Sequence, residues 1–128
     1  DYEQIIPEKS ELMATVDMSE FLAGIKLVGS FSGRGSDVLL KFNMEGKSLE
    51  MFAADQYLGE NNYIVPLKNI DGKSGGEATF NWRYLMGGIK PMNRAQLNLG
   101  FSGEDKPAVF RPDGDDSLLY IVMPISKD

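Results

Sequence analysis

Two stretches imitate phosphate-binding chemistry, Gly46-Lys47-Ser48 and Gly72-Lys73-Ser74. A phosphate-binding loop needs another glycine five positions earlier, and a strand-to-helix setting in which backbone amides and a helix start cradle the phosphate. Lys41 and Leu67 stand at those positions, and both stretches fall in turns ahead of strands, so they are read as turns. Asp113, Asp115 and Asp116 have the close carboxylate spacing that suits a hard cation. They lack the register of an EF-hand loop and are read as a solvated hairpin turn. The chain has no cysteine and no histidine. This removes disulfides, thiolate catalysis and cysteine metal sites, together with the commonest general base and metal ligand. No catalytic residue, metal site or cofactor is expected, and an enzyme working through paired carboxylates such as Asp113 and Asp116 would lack an accompanying base.

Two other groups could meet partners. Lys26 and Lys90 occupy equivalent places in an internal repeat, Arg83 lies on the polar side of its helix, and Arg94 follows soon after. A solvated helix face is the plain reading, and weak phosphate contact from a rigid helical surface is the functional one. The last strand, Tyr120-Ile-Val-Met-Pro-Ile125, is apolar on both faces and reads as a core strand whose end, Met123 to Ile125, could form one wall of a groove. Trp82 sits on an apolar stripe at the position matching Met18 and is expected in the core, as are Met86 and Met92.

The elements that position these residues come from the repeat. Ala14-Thr-Val-Asp-Met-Ser-Glu-Phe-Leu-Ala-Gly-Ile-Lys26 returns half a chain length later as Ala78-Thr-Phe-Asn-Trp-Arg-Tyr-Leu-Met-Gly-Gly-Ile-Lys90. Each copy reads as strand, capping residue (Asp17 or Asn81), then helix. Apolar residues at Met18, Phe21, Leu22 and Ile25, and at Trp82, Leu85, Met86 and Ile89, have the spacing of a helix buried along one stripe. Asp17 with Glu20 could form a capping box.

The first half continues as a glycine- and serine-rich loop at 29–36, a hairpin of Val38–Met44 and Ser48–Ala54 around Glu45-Gly46-Lys47, a loop at 58–62 and a strand at Tyr63–Leu67. Asp71–Gly76 reads as a break. Pro66 should sit at a strand end or an edge. The second half repeats the order: strand 77–80, helix from Trp82 to about Lys90 closed by Pro91, strand 94–101, and a final pair at 107–111 and 118–123. The expectation is one α+β domain of two strand-helix-three-strand pseudo-repeats, about 11–70 and 75–124, with two helices packed on antiparallel sheets around a shared core.

The 128 residues carry a net charge of −6, which argues against binding nucleic acid by bulk attraction but not against a local basic face on an acidic body. No apolar run is long enough to cross a bilayer, and the first residues have none of the features of a signal peptide. No membrane association and a cytoplasmic location are expected. The opening without methionine suggests a start at a linker inside a longer protein.

Asp1-Tyr-Glu-Gln-Ile-Ile-Pro7, the helix start Phe80-Asn-Trp-Arg-Tyr84, the strand from Pro107 to Pro112 before an acidic turn, and the ending Tyr120-Ile-Val-Met-Pro124 together resemble the third, C-terminal domain of the bacterial DNA polymerase III beta subunits, the sliding clamps. The resemblance covers essentially the whole chain and implies the DNA-clamp fold. It also implies a homodimeric ring with three such domains per chain, closed around duplex DNA with helices lining the hole. Such a ring is a processivity factor in DNA replication that tethers DNA polymerase and binds the clamp loader, both through short linear motifs, and catalyses nothing.

Carried over by position, the third-domain wall of the partner-peptide pocket would be Gln4, Ile5, Tyr84, Ile121, Val122, Met123, Pro124 and Ile125, with a contribution from Lys106 to Ala108. The resemblance makes Lys26, Arg83, Lys90 and Arg94 the DNA-facing residues, and points to Leu27 and Val28 for ring closure. Many relatives end in an arginine and a final leucine, whereas this chain ends Ser126-Lys127-Asp128, which places an acid near the pocket. The alternative from another class is a ligand- or protein-binding module unrelated to DNA.

Overall fold

The computed structural model describes residues 12–30, 37–55, 59–72, 75–103, 106–114 and 119–125. Strand β1 (Leu12–Asp17) runs directly into helix α1 (Met18–Gly29), followed by β2 (Asp37–Asn43), β3 (Ser48–Asp55), β4 (Gly59–Pro66) and β5 (Asn69–Gly72). The second half holds β6 (Gly76–Asn81), α2 (Trp82–Ile89), β7 (Gln96–Phe101), β8 (Ala108–Pro112) and β9 (Tyr120–Val122). In β1 the alternation of Leu12, Ala14 and Val16 with Met13, Thr15 and Asp17 turns one face inward and one outward. Asp17 stops the strand and starts the helix: its side chain accepts from the Glu20 amide at 2.9 Å. No helix among the described residues is long and apolar enough to cross a membrane.

The strands form two antiparallel sheets, β5-β1-β7-β8-β9 and β4-β3-β2-β6. The leading strand of each repeat therefore lies in the sheet built mainly by the other half. β1 pairs with β7 from Leu12 opposite Phe101 to Asp17 opposite Gln96. β6 pairs with β2 from Asp37 opposite Asn81 to Phe42 opposite Gly76. The two halves are thus interlocked, and the expected α+β architecture of two helices on two antiparallel sheets is present.

The inward faces meet in one core. Leu12, Val16, Leu40, Leu49, Met51, Phe80, Leu97 and Phe110 are fully buried there with Phe21 and Ile25 of α1 and Leu85 and Ile89 of α2. Each large side chain of this kind contributes about 1.5–3 kcal/mol of burial. Phe21 packs on Phe110 with ring centroids 6.3 Å apart, joining α1 to β8. Phe42 and Phe101 meet at 5.5 Å and join the two sheets.

Several boundaries differ from the sequence reading. Residues 59–62, read as loop, belong to β4, which pairs with the whole of β3 from Ser48 opposite Pro66 to Asp55 opposite Gly59. Its first residues are polar because an edge strand needs no second apolar neighbour, and Asn62 donates instead to Glu50 at 2.9 Å. Residues 69–72, read partly as a break, form the edge strand β5 against β1. The second helix does not close at Pro91 but tightens into a 3₁₀ turn over Lys90–Met92, which ends at Asn93 in the left-handed conformation. Proline fits there because the first residues of a new turn need no amide donor.

In the β2–β3 turn the left-handed residue is Lys47 and not Gly46. Asn43 stabilises this turn by accepting from the Gly46 amide at 3.0 Å. β9 covers only Tyr120–Val122 of the longer strand expected. The loop residues 31–36, as well as Lys73, Ser74, Asp115 and Asp116, lie outside the described residues.

Candidate functional site

At the start of α2, Asn81 accepts from the amides of Arg83 at 2.9 Å and Tyr84 at 3.3 Å, which satisfies two donors that have no partner within the helix. Tyr84 then projects outward and is 63% exposed. Two long-range contacts fasten this turn to β9. The Tyr120 hydroxyl donates to the Tyr84 carbonyl at 2.7 Å. The Tyr120 ring also lies where a side chain on Gly88 would have to stand.

Beyond β9 the chain crosses to the other sheet, where the Ile125 amide donates to the carbonyl of Thr79 in β6 at 2.7 Å. Because β6 leads straight into α2, the segment from Tyr120 to Ile125 is held on both sides of the helix start.

This frame brings together Tyr84, Ile121, Met123, Pro124 and Ile125 of the residues assigned to a partner pocket. Met123 is 60% exposed, while Ile121, Pro124 and Ile125 are half-buried. Val122 differs: it is 6% exposed, pairs with Ala108 and belongs to the core, because alternate residues of a strand point to opposite faces. It can shape the wall only through its backbone. Ala108 is likewise buried, whereas Lys106 is exposed and Pro107 half-buried. Gln4 and Ile5 lie outside the described residues. Tyr120 and Gly88 carry the frame but receive no site role from sequence, since only a contact between distant positions marks them.

The two helices run antiparallel. Gly29 at the end of α1 abuts the Trp82 ring at the start of α2, and the Met18 amide at the start of α1 donates to Ala95 beyond the end of α2 at 2.9 Å. Trp82 is only partly buried, packed against the core rather than within it. Lys26, Arg83, Lys90 and Arg94 are all exposed. The Arg83 guanidinium lies 4.9 Å from the Trp82 ring centroid, which fixes one cation over the junction of the helices.

Of the two residues assigned to ring closure, Leu27 is 46% exposed and Val28 is fully buried. Val28 continues the Met18, Phe21, Ile25 stripe into the core and presents no surface to a second chain. A residue missed from sequence is Ile64, 58% exposed on β4. β4 is the outer strand of its sheet, and its Tyr63 ring covers Gly24 of α1, so Ile64, the next residue along the strand, points to the sheet face opposite the helix.

Among the described residues no group of three or more His, Cys, Asp or Glu could hold a metal ion. Asp113 is tied into its turn, accepting from Asn98 at 3.0 Å and donating its amide to Gln96.

Residues 3–126 match the family described as DNA polymerase III beta subunit, C-terminal domain. The chain is 25% identical over 125 residues to the beta sliding clamp of Staphylococcus aureus, covering 98% of this chain and 33% of that protein. It is 27% identical over 126 residues to the beta sliding clamp of Synechococcus elongatus, again over 98% of this chain and 33% of the relative. The fold superposes on the DNA polymerase III beta subunit of Thermotoga maritima with a TM-score of 0.91 at 21% identity, covering all of this chain and 34% of that one. The Bacillus subtilis DNA polymerase sliding clamp gives a TM-score of 0.91 at 22% identity with the same coverage. The chain thus spans about a third of the length of the relatives it matches. With the family matched over residues 3–126 and the fold shared with its solved members, the chain belongs to the DNA polymerase III beta subunit family, in its C-terminal domain.

Proposed function

We propose that this chain is the third domain of a ring-shaped sliding clamp, a processivity factor that encircles duplex DNA as a homodimer and performs no chemistry of its own. The observation that carries the reading is the family match over residues 3–126, nearly the whole chain. It leaves no support for a binding module unrelated to DNA. In this reading the helical surface with Lys26, Arg83, Lys90 and Arg94 faces the duplex, and Leu27 with the β4 edge meets the second chain. The frame around Tyr84 and Met123 is half of a pocket for short linear motifs of DNA polymerase and the clamp loader.

Enclosure reconciles a net charge of −6 with DNA as partner. A closed ring is retained by topology, so a few inner cations suffice to guide the duplex while the acidic remainder keeps it from adhering. The test is retention of a full-length clamp carrying this domain, loaded on nicked circular DNA. Retention on the circle and release when the DNA is linearised is the expected result. Salt-sensitive binding that does not distinguish circle from line would sink the reading.

A further inference from the structure

The tie between α2 and β9 carries an inference that rests on the pocket reading above. The Tyr120 ring occupies the space that a Gly88 side chain would need, and its hydroxyl bonds at 2.7 Å to the carbonyl of Tyr84, four residues earlier in the helix. Both contacts fall on the turn of α2 that presents Tyr84. Next door, Gly87 has open space where its side chain would be, so the absence of a side chain is needed at 88 and not at 87.

The same device recurs in the first half. Gly24, which matches Gly88 in the repeat, is covered by the ring of Tyr63 from β4, with 2.6 Å between ring and Cβ position. Tyr63 and Tyr120 both lie on the outermost strands of their sheets. A tyrosine from a sheet edge, seated on a helix glycine, thus fastens each helix to one edge.

We propose that Tyr120 is a positioning residue for partner-peptide binding. It holds Tyr84 in fixed spacing to Ile121 and to Met123 just beyond the strand end as one wall, so that a peptide meets a surface already in its bound shape. The carbonyl of Tyr84 can take this bond in addition to its helical one because it has two lone pairs.

Three substitutions separate the contributions. Tyr120→Phe keeps the ring and deletes the hydroxyl, Gly88→Ala displaces the ring, and Gly87→Ala adds the same methyl where there is room. Each variant, in a full-length clamp carrying this domain so that both halves of the pocket are present, is titrated with a short peptide containing Gln and a Leu-Phe pair while methionine methyl and tyrosine ring shifts are followed by NMR, with thermal unfolding recorded in parallel. The net value of one such hydrogen bond corresponds to a loss of affinity of roughly three- to tenfold for Tyr120→Phe, and Gly88→Ala should lose at least as much. Gly87→Ala should stay within about twofold of the parent. A purely structural role would lower the unfolding temperature and leave the affinity of the folded chain unchanged.

Parent-like affinity in Tyr120→Phe, or equal losses in Gly87→Ala and Gly88→Ala, overturns the proposal. Should the parent chain itself show no peptide-dependent shifts, the pocket reading fails. The positioning of Tyr84 is then decided in the peptide-free chains: joint movement of the Tyr84 and Met123 resonances in Tyr120→Phe sustains it, and unmoved resonances overturn it.

Discussion

Gly87 and Gly88 are neighbours in α2, yet they answer to different constraints, and this makes them a sensitive test at the residue scale. A glycine in a helix interior gives up backbone entropy that alanine does not, so where space is open Gly87→Ala should stabilise the chain by about 0.5–1 kcal/mol. Gly29 has the opposite surroundings, since a side chain there would run into the Trp82 ring. Gly29→Ala should therefore cost about 1–3 kcal/mol, as overpacking does where the neighbour is a rigid ring. Urea unfolding of the two variants should move the midpoint in opposite directions. The cap of α2 gives a third value: Asn81 serves two amides, and Asn81→Ala should cost about 1 kcal/mol.

At the scale of elements, the exchange of leading strands decides how the domain holds together. β1 is hydrogen-bonded on both sides, to β5 and β7, while β6 closes the other sheet against β2. Residues 12–72 produced alone would leave β1 without β7, and residues 75–125 would leave β7 without β1, each exposing a row of backbone groups and one face of the core. Each half should show a disordered circular dichroism spectrum, and mixing the two should restore the sheet signal; a half that unfolds cooperatively on its own would contradict this. The repeat, the two caps, both helical stripes and the β2–β3 hairpin were legible because each is written in local spacing. The partner of each repeated strand was not, since two similar copies do not say which of them a strand will join. β5 and the start of β4 escaped notice because polar edge strands carry little alternation. The burial of Val28 was legible in its own stripe, at the step after Ile25, whereas its assignment to ring closure came from resemblance and not from the stripe. Tyr120 on Gly88 links residues far apart in sequence, and no local pattern marks such a pair.

For the whole molecule, the proposed ring separates two quantities that an ordinary DNA-binding protein would join. Retention on closed circular DNA depends on the chains staying together, hence on a surface such as exposed Leu27 with the outer strand β4. Guidance of the duplex depends on the exposed cations of the helices, Lys26 and Lys90 among them. In a full-length clamp carrying this domain, Leu27→Glu would bury an unpaired charge in the subunit contact, which costs several kcal/mol and should shorten residence on a circle by ten times or more, on the order of what such burial implies. Lys26→Glu with Lys90→Glu should instead slow loading and make it more sensitive to salt, because the encounter with phosphates is electrostatic. Once the ring has closed, the same double variant should leave the circle at the parent rate, since leaving requires opening the subunit contact and not releasing phosphates. Single-molecule residence times on circular DNA at two salt concentrations measure both. If the double charge reversal shortened residence as much as Leu27→Glu does, adhesion to phosphates and not enclosure would be holding the protein on DNA.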